Sequence, residues 1–151
     1  MLCHLSCNRD TLTFAMSIDK TAMIERYWHK VGGALFLEFP LGKRTSTSRP
    51  RWAAGLIVVG PPKRKWEWSE AEAAGFDVTF VEGKDVVVIQ AKAEPTPLGM
   101  PLLGQTLFAV ELLKDLRPAS VRGVALCRKD DSALRRVFEK FPGMEVVVDE
   151  P

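Results

Sequence analysis

The spacing of apolar positions predicts a helix followed by two strands in the first part of the chain. The helix is capped by Asp19 or Thr21 and ends at Gly32. Residues 34–39 and 52–59 are short apolar runs closed by proline and glycine, which is typical of buried strands. Apolar residues of the helix recur at helical spacing, as Met23, Ile24, Tyr27, Trp28 and Val31.

The middle of the chain predicts a short helical turn and then a β-hairpin. Ser69 is followed three residues later by Glu72, a capping-box pattern, and Gly75 ends the turn. Residues 76–81 and 85–91 are apolar runs separated by three residues that include a glycine. Such a link is typical of two antiparallel strands paired as a hairpin.

The last third of the chain predicts two helices that alternate with two strands. A largely apolar helix covers 102–116, a strand covers 120–127, an amphipathic helix covers 132–141, and a terminal strand covers 145–148. Helices would then cover both faces of a central mixed sheet, so the fold class is α/β, an α/β/α sandwich. Because the helix 102–116 is apolar on more than one side, the sequence also allows a homodimer.

Length and cysteine content predict one cytoplasmic domain. The 151 residues fit a single globular unit, and the sequence contains no apolar run of about 18 residues that would span a membrane. We expect the domain to cover 16–151, with residues 1–15 as a disordered leader, because Met16 would serve equally well as a start. Three cysteines without a secretory signal indicate reduced thiols and a cytoplasmic location.

The net charge of +2 conceals an uneven distribution of charge. No acidic residue occurs between Glu38 and Glu67, where a basic strip has seven cationic side chains. Six carboxylates follow from Glu67 to Asp85, against Lys84 alone. A basic strip beside an acidic cluster suits a protein that grips a phosphate backbone and holds a divalent cation. The strip consists of Lys43, Arg44, Arg49, Arg51, Lys63, Arg64 and Lys65.

The residue types present exclude several classes of enzyme. The chain has only two histidines, His4 and His29, and it has no HExxH, GxSxG or GxGxxG motif. Gly42-Lys43 does not complete a phosphate-binding loop, because residue 37 is leucine. The remaining polar groups are carboxylates, amides and lysines, which favour a hard cation, Mg²⁺ or Mn²⁺.

Polar residues in the segment 75–92 are the main candidates for chemistry. Asp77 comes at the start of the first predicted hairpin strand, and Gln90 and Lys92 come at the end of the second. Since side chains alternate along a strand, Gln90 and Lys92 share one face. A lysine at the end of an apolar strand is costly to bury unless it meets an anion or water.

These residues resemble the active-site pattern of the PD-(D/E)xK nuclease superfamily, which has the restriction-endonuclease-like fold. The resemblance implies metal-dependent hydrolysis of DNA, with Asp77 as a metal ligand and Gln90 as a second ligand through its amide oxygen. It implies that Ala91 adds its backbone carbonyl and that Lys92 orients or activates the attacking water. Glu25 on the first helix would assist the metal through water, and Gln105 would contact water or phosphate.

Two points of the pattern leave alternatives open. Gln90 stands where the superfamily usually has a carboxylate, so the site has less charge for a cation. The acidic position could also fall in the segment RWAAG, where Ala54 would occupy it and the site would be damaged. The sequence therefore allows an active nuclease, a nuclease-like protein that only binds nucleic acid or protein, or an unrelated α/β scaffold. Trp52, Trp66 and Trp68 interleave with the basic strip, where they would either stack on unpaired bases or pack in the core or at a dimer contact.

Overall fold

A computed structural model of the chain describes residues 9–42 and 46–150. Four α-helices, a short 3-10 helix and six strands follow one another in this range. The helices are α1 (Arg9–Val31), α2 (Trp68–Ala73), α3 (Met100–Lys114) and α4 (Ser132–Phe138), and the 3-10 helix is Val78–Val81. The strands are β1 (Ala34–Gly42), β2 (Arg51–Val58), β3 (Arg64–Glu67), β4 (Asp85–Ala91), β5 (Ser120–Cys127) and β6 (Met144–Val148).

The strands form one mixed sheet in the order β3-β1-β2-β4-β5-β6. β2 runs antiparallel to its neighbours β1 and β4, whereas the other pairs are parallel. All strands except β2 therefore end at the same side of the sheet, which we name the carboxyl edge. The predicted α/β class with a mixed central sheet is confirmed.

Helices cover both faces of the sheet, as an α/β/α sandwich requires. α1 packs Met23 and Ile24 against one face. α2, α3 and α4 pack on the other face, where α3 comes very close to β5. A Cβ atom at Gly123 of β5 would lie 2.8 Å from Val110 of α3, so only glycine permits this approach. The close contact between α3 and β5 thus depends on the absence of a side chain at residue 123.

An ion pair connects the end of the chain to α1. Both guanidinium nitrogens Nε and Nη2 of Arg26 donate to the carboxylate of Asp149, at 2.8 and 2.7 Å. The carboxylate is almost fully buried, and the Arg26 hydrogen bonds hold its pKa below the ordinary value, with help from the charges of Arg128 and Lys30. The pair therefore fixes the segment after β6 on the α1 face.

The predicted hairpin is wrong in its first strand. Residues 78–81 form the 3-10 helix, and Asp77 caps it by accepting a hydrogen bond from the Thr79 backbone N–H at 3.0 Å. The predicted second strand is β4, as expected, but its partners are β2 and β5. Because both edges of β4 are occupied, the preceding segment packs on the face of the sheet instead. The alternating apolar residues Phe76, Val78 and Phe80 pack against the core on that face.

β3 was not predicted, and it carries part of the basic strip. Trp66 of this strand stacks with Phe36 and meets Phe76 edge-on. Trp68 begins α2 and is buried against Phe36 and Phe39. Ser69 lies inside α2 and does not cap it, because Glu67 is the N-cap residue. Trp66 and Trp68 thus belong to an aromatic cluster of the core, which is one of the two alternatives that the sequence leaves for them.

The start of the chain differs from the prediction in one respect. α1 begins at Arg9, ten residues before the first predicted cap, so residues 9–15 of the expected leader belong to a helix. The first eight residues of that leader lie outside the described residues. Across residues 9–42 and 46–150, no helix combines the length and the apolarity that a membrane span needs.

Candidate functional site at the carboxyl edge

Gln90 joins β2 to β4 at the point where the two strands separate. The last backbone pair of this ladder is Gly55 with Ile89. Beyond it, the Gln90 amide nitrogen donates to the Trp52 carbonyl, and the Ala54 N–H donates to the Gln90 amide oxygen, both at 3.2 Å. One side-chain amide thereby replaces the missing ladder bonds. This use of a donor and an acceptor explains why the residue is glutamine rather than glutamate.

A groove of about 750 Å³ opens beside Gln90, between the start of β2 and the outer face of α3. We name it the aromatic groove. Trp52 and Phe108 line it and remain 52% and 72% exposed, which is unusual for large apolar side chains. Arg51 and Gln105 add polar groups to the same groove. Its other lining residues are Leu41, Ala109 and Leu112.

Lys92 lies next to this groove, half-buried at the end of β4. Its ammonium group donates to the Pro97 carbonyl at 3.4 Å and lies near Gly99, the N-cap residue of α3. Lys92, Ala91 and Gln105 line one cavity of about 320 Å³, which we name the lysine cavity. Of the predicted catalytic and metal-binding residues, the structure thus brings Gln90, Ala91, Lys92 and Gln105 together at the carboxyl edge.

Asp77 does not join these residues. It lines a different cavity, of about 540 Å³, between the end of β1, the 3-10 helix and the end of α3. Its carboxylate also accepts from the Thr79 hydroxyl at 3.0 Å. The predicted ligand pair of Asp77 and Gln90 therefore lies on two separate cavities. Asp77 was predicted to start a strand that pairs with β4. Because β4 pairs with β2 and β5 instead, Asp77 lies away from the end of β4.

Glu25, the predicted metal helper, pairs with a residue of the predicted basic strip. The Lys65 ammonium donates to the Glu25 carboxylate at 2.7 Å, and this hydrogen bond raises the pKa of Lys65. Glu25 is on α1 and Lys65 on β3, so the pair lies at the open edge of the sheet. Glu25 is thus engaged in a salt bridge that the sequence did not suggest.

The rest of the basic strip separates into two groups. Lys63 and Arg64 lie at β3, where the Arg64 guanidinium stacks 3.7 Å from the Trp66 ring centre and Lys63 lies over Trp28. Arg51 lies across the sheet at the start of β2, where it donates to the carbonyl of Arg49 at 3.1 Å. Lys43 and Arg44 lie outside the described residues. Only the Arg51 group is next to the aromatic groove.

Glu38 and Glu67 line a small polar cavity of about 260 Å³, together with Ala54, Gln90 and Lys20. Glu38 has a φ of 57°, in the left-handed region that costs a non-glycine residue about 1–2 kcal/mol. The strained residue interrupts the alternation of β1, so Leu37 and Glu38 line the same cavity. Partial burial raises the pKa of Glu38, the Glu67 charge adds to this, and Lys20 opposes it.

Ala54, the alternative acidic position that the sequence left open, lies next to Gln90. Ala54 faces Gln90 across the fork between β2 and β4, where its backbone N–H is the group in contact. In the described part of the chain, no three histidine, cysteine, aspartate or glutamate side chains are grouped so that they could hold a metal ion. The residue beside Gln90 is therefore an alanine, and the predicted acid Asp77 lines another cavity.

The sequence did not indicate that Phe108 and Lys20 line cavities at the carboxyl edge. A signal for Phe108 exists, because Gln105, Glu111 and Asp115 mark the exposed stripe of α3 and Phe108 falls within that stripe. Lys20 lines both the polar cavity and the lysine cavity. No local signal identifies it, since its position depends on how α1 crosses the sheet.

Comparisons with known proteins leave the chain without an assigned family. No family model, no curated protein and no solved structure matches it.

Proposed function

We propose that this protein binds single-stranded nucleic acid in the aromatic groove, without depending on cleavage. The observation that carries the proposal is the pair of exposed aromatic side chains, Trp52 and Phe108, on a groove that also contains Arg51. Exposed aromatic rings beside cationic side chains are the usual platform for unpaired bases and their phosphates.

The charges around the groove support a polyanionic ligand. Arg51 lines the groove itself, and Lys20 and Lys92 line the adjoining cavities. The N-cap residue of α3, Gly99, is next to Lys92, so the positive end of the helix dipole lies at the same edge. Phosphates of a strand that crosses the carboxyl edge would meet these groups in succession.

The arrangement of Gln90 and Asp77 favours binding over hydrolysis. The amide of Gln90 is engaged by the β2 backbone, and Asp77 lines another cavity. Gln105 is exposed in the groove, where its amide would offer a donor and an acceptor to a base edge. The proposal corresponds to the nuclease-like protein that binds without cutting.

The test is the binding of a labelled single-stranded oligonucleotide, measured by fluorescence anisotropy over a range of salt. Trp52→Ala should weaken binding about tenfold or more, since stacking on one aromatic ring contributes about 1–3 kcal/mol per base. Arg51→Ala should reduce the slope of log affinity against log salt by about 0.7, the value for one phosphate of a single strand.

Matched controls separate the groove from general effects of charge and apolarity. Phe141 is another exposed phenylalanine, 48% exposed and near β6, so Phe141→Ala should leave the affinity unchanged while Phe108→Ala lowers it. Arg136 on α4 serves as the control for Arg51. Equal binding by Trp52→Ala and the wild type would contradict the proposal. So would a groove blocked by a second copy of the chain, detected as a dimer that Phe108→Ala dissociates.

A metal-dependent nuclease is the second candidate, and one observation favours it. The carboxylates of Glu38 and Glu67 line the same polar cavity as Gln90, which gives that cavity oxygen groups of the type that Mg²⁺ or Mn²⁺ prefers. Lys92, the residue proposed to position water, lies in the neighbouring lysine cavity.

Incubation of plasmid and single-stranded DNA with Mg²⁺ or Mn²⁺ tests this candidate. Nicking by the wild type that is lost in Lys92→Ala and in Glu38→Gln would support it. Equal nicking by the wild type and Lys92→Ala would remove the catalytic assignment. Asp77→Ala is the matched control, because Asp77 lies on another cavity.

A further inference from the structure

β6 is the outermost strand on the side of the sheet away from β3, and its composition suits pairing with another strand. Of its five residues, four are methionine or valine, and Glu145 alone is charged. A valine-rich strand at the edge of a sheet pairs readily with a strand of another chain unless something prevents it. The β6 edge therefore needs either a partner or a barrier.

The hydrogen bonds to β5 show which backbone groups of β6 face outward. β5 and β6 are parallel, and the Gly143 carbonyl and the Asp149 N–H bond to β5 at the two ends of their ladder, at 3.0 and 2.7 Å. Because these bonds use every second residue of a strand, the odd-numbered residues face β5. Met144, Val146 and Val148 therefore present their N–H and carbonyl groups at the open edge.

Groups of the same chain already occupy two of these outward-facing positions. The Met144 N–H donates to the Phe141 carbonyl at 3.2 Å, and Nη2 of the Arg135 guanidinium donates to the Val146 carbonyl at 3.1 Å. Val146 is the middle one of the three outward-facing residues, so an added strand would need its carbonyl. Since neighbouring strands lie about 4.8 Å apart, the guanidinium and an added strand cannot occupy this edge together.

Two carboxylates hold Arg135 in this position. Its Nε donates to Glu139 at 2.9 Å, and its Nη1 donates to Asp130 at 2.7 Å. The three guanidinium nitrogens thus donate to three different acceptors, an arrangement that suits the planar fork of arginine rather than the compact ammonium of lysine. Arg135 therefore links both ends of α4 to the open edge of β6.

The surface beside the edge indicates what Arg135 excludes. Val137 of α4 and Phe141 just after it are 51% and 48% exposed, and α4 packs against β6. Association of two copies through β6 would bring this apolar surface together. Two antiparallel β6 strands are also self-complementary, because the same outward-facing groups serve as donors and acceptors in both copies. A second copy of the chain is thus a partner that fits the edge.

We propose that Arg135 closes the β6 edge of the sheet against a second copy of this chain. Its guanidinium occupies the carbonyl that an antiparallel β6 strand of the other copy would need, and Asp130 and Glu139 keep it there. Loss of Arg135 should therefore convert β6 into a pairing surface. The inference is independent of nucleic-acid binding, because none of these residues lines the aromatic groove.

The experiment compares the self-association of the full-length wild type, Arg135→Met and Arg136→Met by analytical ultracentrifugation over a wide range of protein concentration. Arg136 is the next residue of α4 and is exposed, so Arg136→Met removes the same charge without freeing the β6 carbonyl. Arg135→Met should self-associate at least about tenfold more tightly than Arg136→Met, because each copy loses a charge-assisted hydrogen bond that blocks the edge. Wild type and Arg136→Met should behave alike.

Hydrogen exchange followed by mass spectrometry locates the contact between copies. In Arg135→Met, peptides that cover residues 144–148 should exchange more slowly as the protein concentration rises, because the outward-facing N–H groups become paired. Peptides that cover β3, residues 64–67, should show no such change. In the wild type, exchange at 144–148 should not depend on concentration.

A second variant tests the same edge without removing the arginine. Asp130→Asn combined with Glu139→Gln leaves Arg135 in the chain but removes the two charges that hold it. Because both ion pairs are partly exposed, we expect a smaller effect, about threefold tighter self-association than in the wild type. This variant decides the question if urea denaturation shows that Arg135→Met does not fold.

Three results would overturn the inference. The first is equal self-association of folded Arg135→Met and Arg136→Met or, if Arg135→Met does not fold, of the double variant and the wild type. The second is slower exchange at 144–148 in the wild type at high concentration, which would mean that a second copy already uses the edge. The third is protection of 64–67 instead of 144–148 in Arg135→Met, which would place the contact at β3.

Discussion

Two polar bridges hold the carboxyl edge together, and they use different chemistry. Gln90 joins β4 to the start of β2 through a neutral amide, with one donor and one acceptor. Asp149 joins the end of β6 to α1 through a charged pair with Arg26. The first bridge lies between the two central strands, where the aromatic groove opens, and the second lies at β6, an outermost strand of the sheet.

The difference separates residues used for folding from residues available for binding. A buried charge needs an oppositely charged partner. An amide between two strands instead uses its donor and its acceptor in hydrogen bonds to the backbone, and no charge has to be compensated. Neither Gln90 nor Asp149 is therefore free for a ligand, although both are polar residues at the edge where a ligand would enter. The exposed groups Trp52, Phe108 and Gln105 remain available.

Breaking the charged bridge should have the largest effect on stability. Asp149→Asn removes the charge that Arg26 pairs with, and we expect a loss of about 2–3 kcal/mol in the free energy of unfolding. Urea denaturation measures it. The control is Asp130→Asn, because the Asp130 pair with Arg135 is more exposed and should contribute about 0.5 kcal/mol or less. Equal losses in the two variants would show that burial of Asp149 has no special role.

Adding a charge to the neutral bridge should cost less. Gln90→Glu removes the donor to the Trp52 carbonyl and places a carboxylate against it, so we expect a loss of about 1–2 kcal/mol. Gln105→Glu, exposed in the same groove, should change stability by less than about 0.5 kcal/mol. If Mn²⁺ restores the melting temperature of Gln90→Glu but not that of Gln105→Glu, the added carboxylate binds metal and the nuclease candidate gains support.

Acid should affect the two bridges unequally. The pKa of Asp149 is lowered in the fold, so its contribution is fully present above the unfolded value of 3.8 and is lost as pH falls through the lower folded value. The free energy of unfolding should therefore decrease below about pH 4. The decrease should at first be smaller than the loss in Asp149→Asn or in Gln90→Glu, because part of the Asp149 population stays ionised. Asp149→Asn should flatten this decrease, whereas Gln90→Ala should not. An unchanged acid profile in Asp149→Asn would contradict the assignment.

The exposed pair between Glu25 and Lys65 gives the smallest expected effect. Both side chains keep contact with water, so Glu25→Gln should cost about 0.5 kcal/mol or less. A double-mutant cycle with Lys65→Met measures the coupling. A coupling above about 1 kcal/mol would mean that this pair fixes β3 more firmly than its exposure indicates.

The fold was predictable where the apolar pattern of a segment agrees with the way that the segment pairs in the sheet. β4 and β5 have the predicted bounds, because each contains a run of apolar residues that is buried between the helices, 86–89 in β4 and 124–127 in β5. The prediction of a strand for the segment 76–81 was wrong, because alternation of apolar and polar residues shows only that one side of a segment is apolar. It does not show whether a neighbouring strand or the face of a sheet covers that side. Only the long-range pairing of β2 with β4 decides this.

The site was predictable only for residues on one element. Gln90 and Lys92 share the end of β4, so strand periodicity placed them together. The roles assigned to Asp77 and Glu25 depended on how separate elements pack, and the structure placed them with Thr79 and Lys65 instead. The catalytic roles themselves stay predictions, as do Mg²⁺ or Mn²⁺, DNA as a partner, a homodimer and the cytoplasmic location.

The cations of β3 have a further consequence for the behaviour of the protein at high concentration. β3 is the outermost strand on one side of the sheet, and Lys63, Arg64 and Lys65 lie at or next to it. A second molecule that extended the sheet through this strand would bring like charges into opposition. The strand thus protects the open sheet against edge-to-edge aggregation, and added salt should weaken that protection by screening the repulsion.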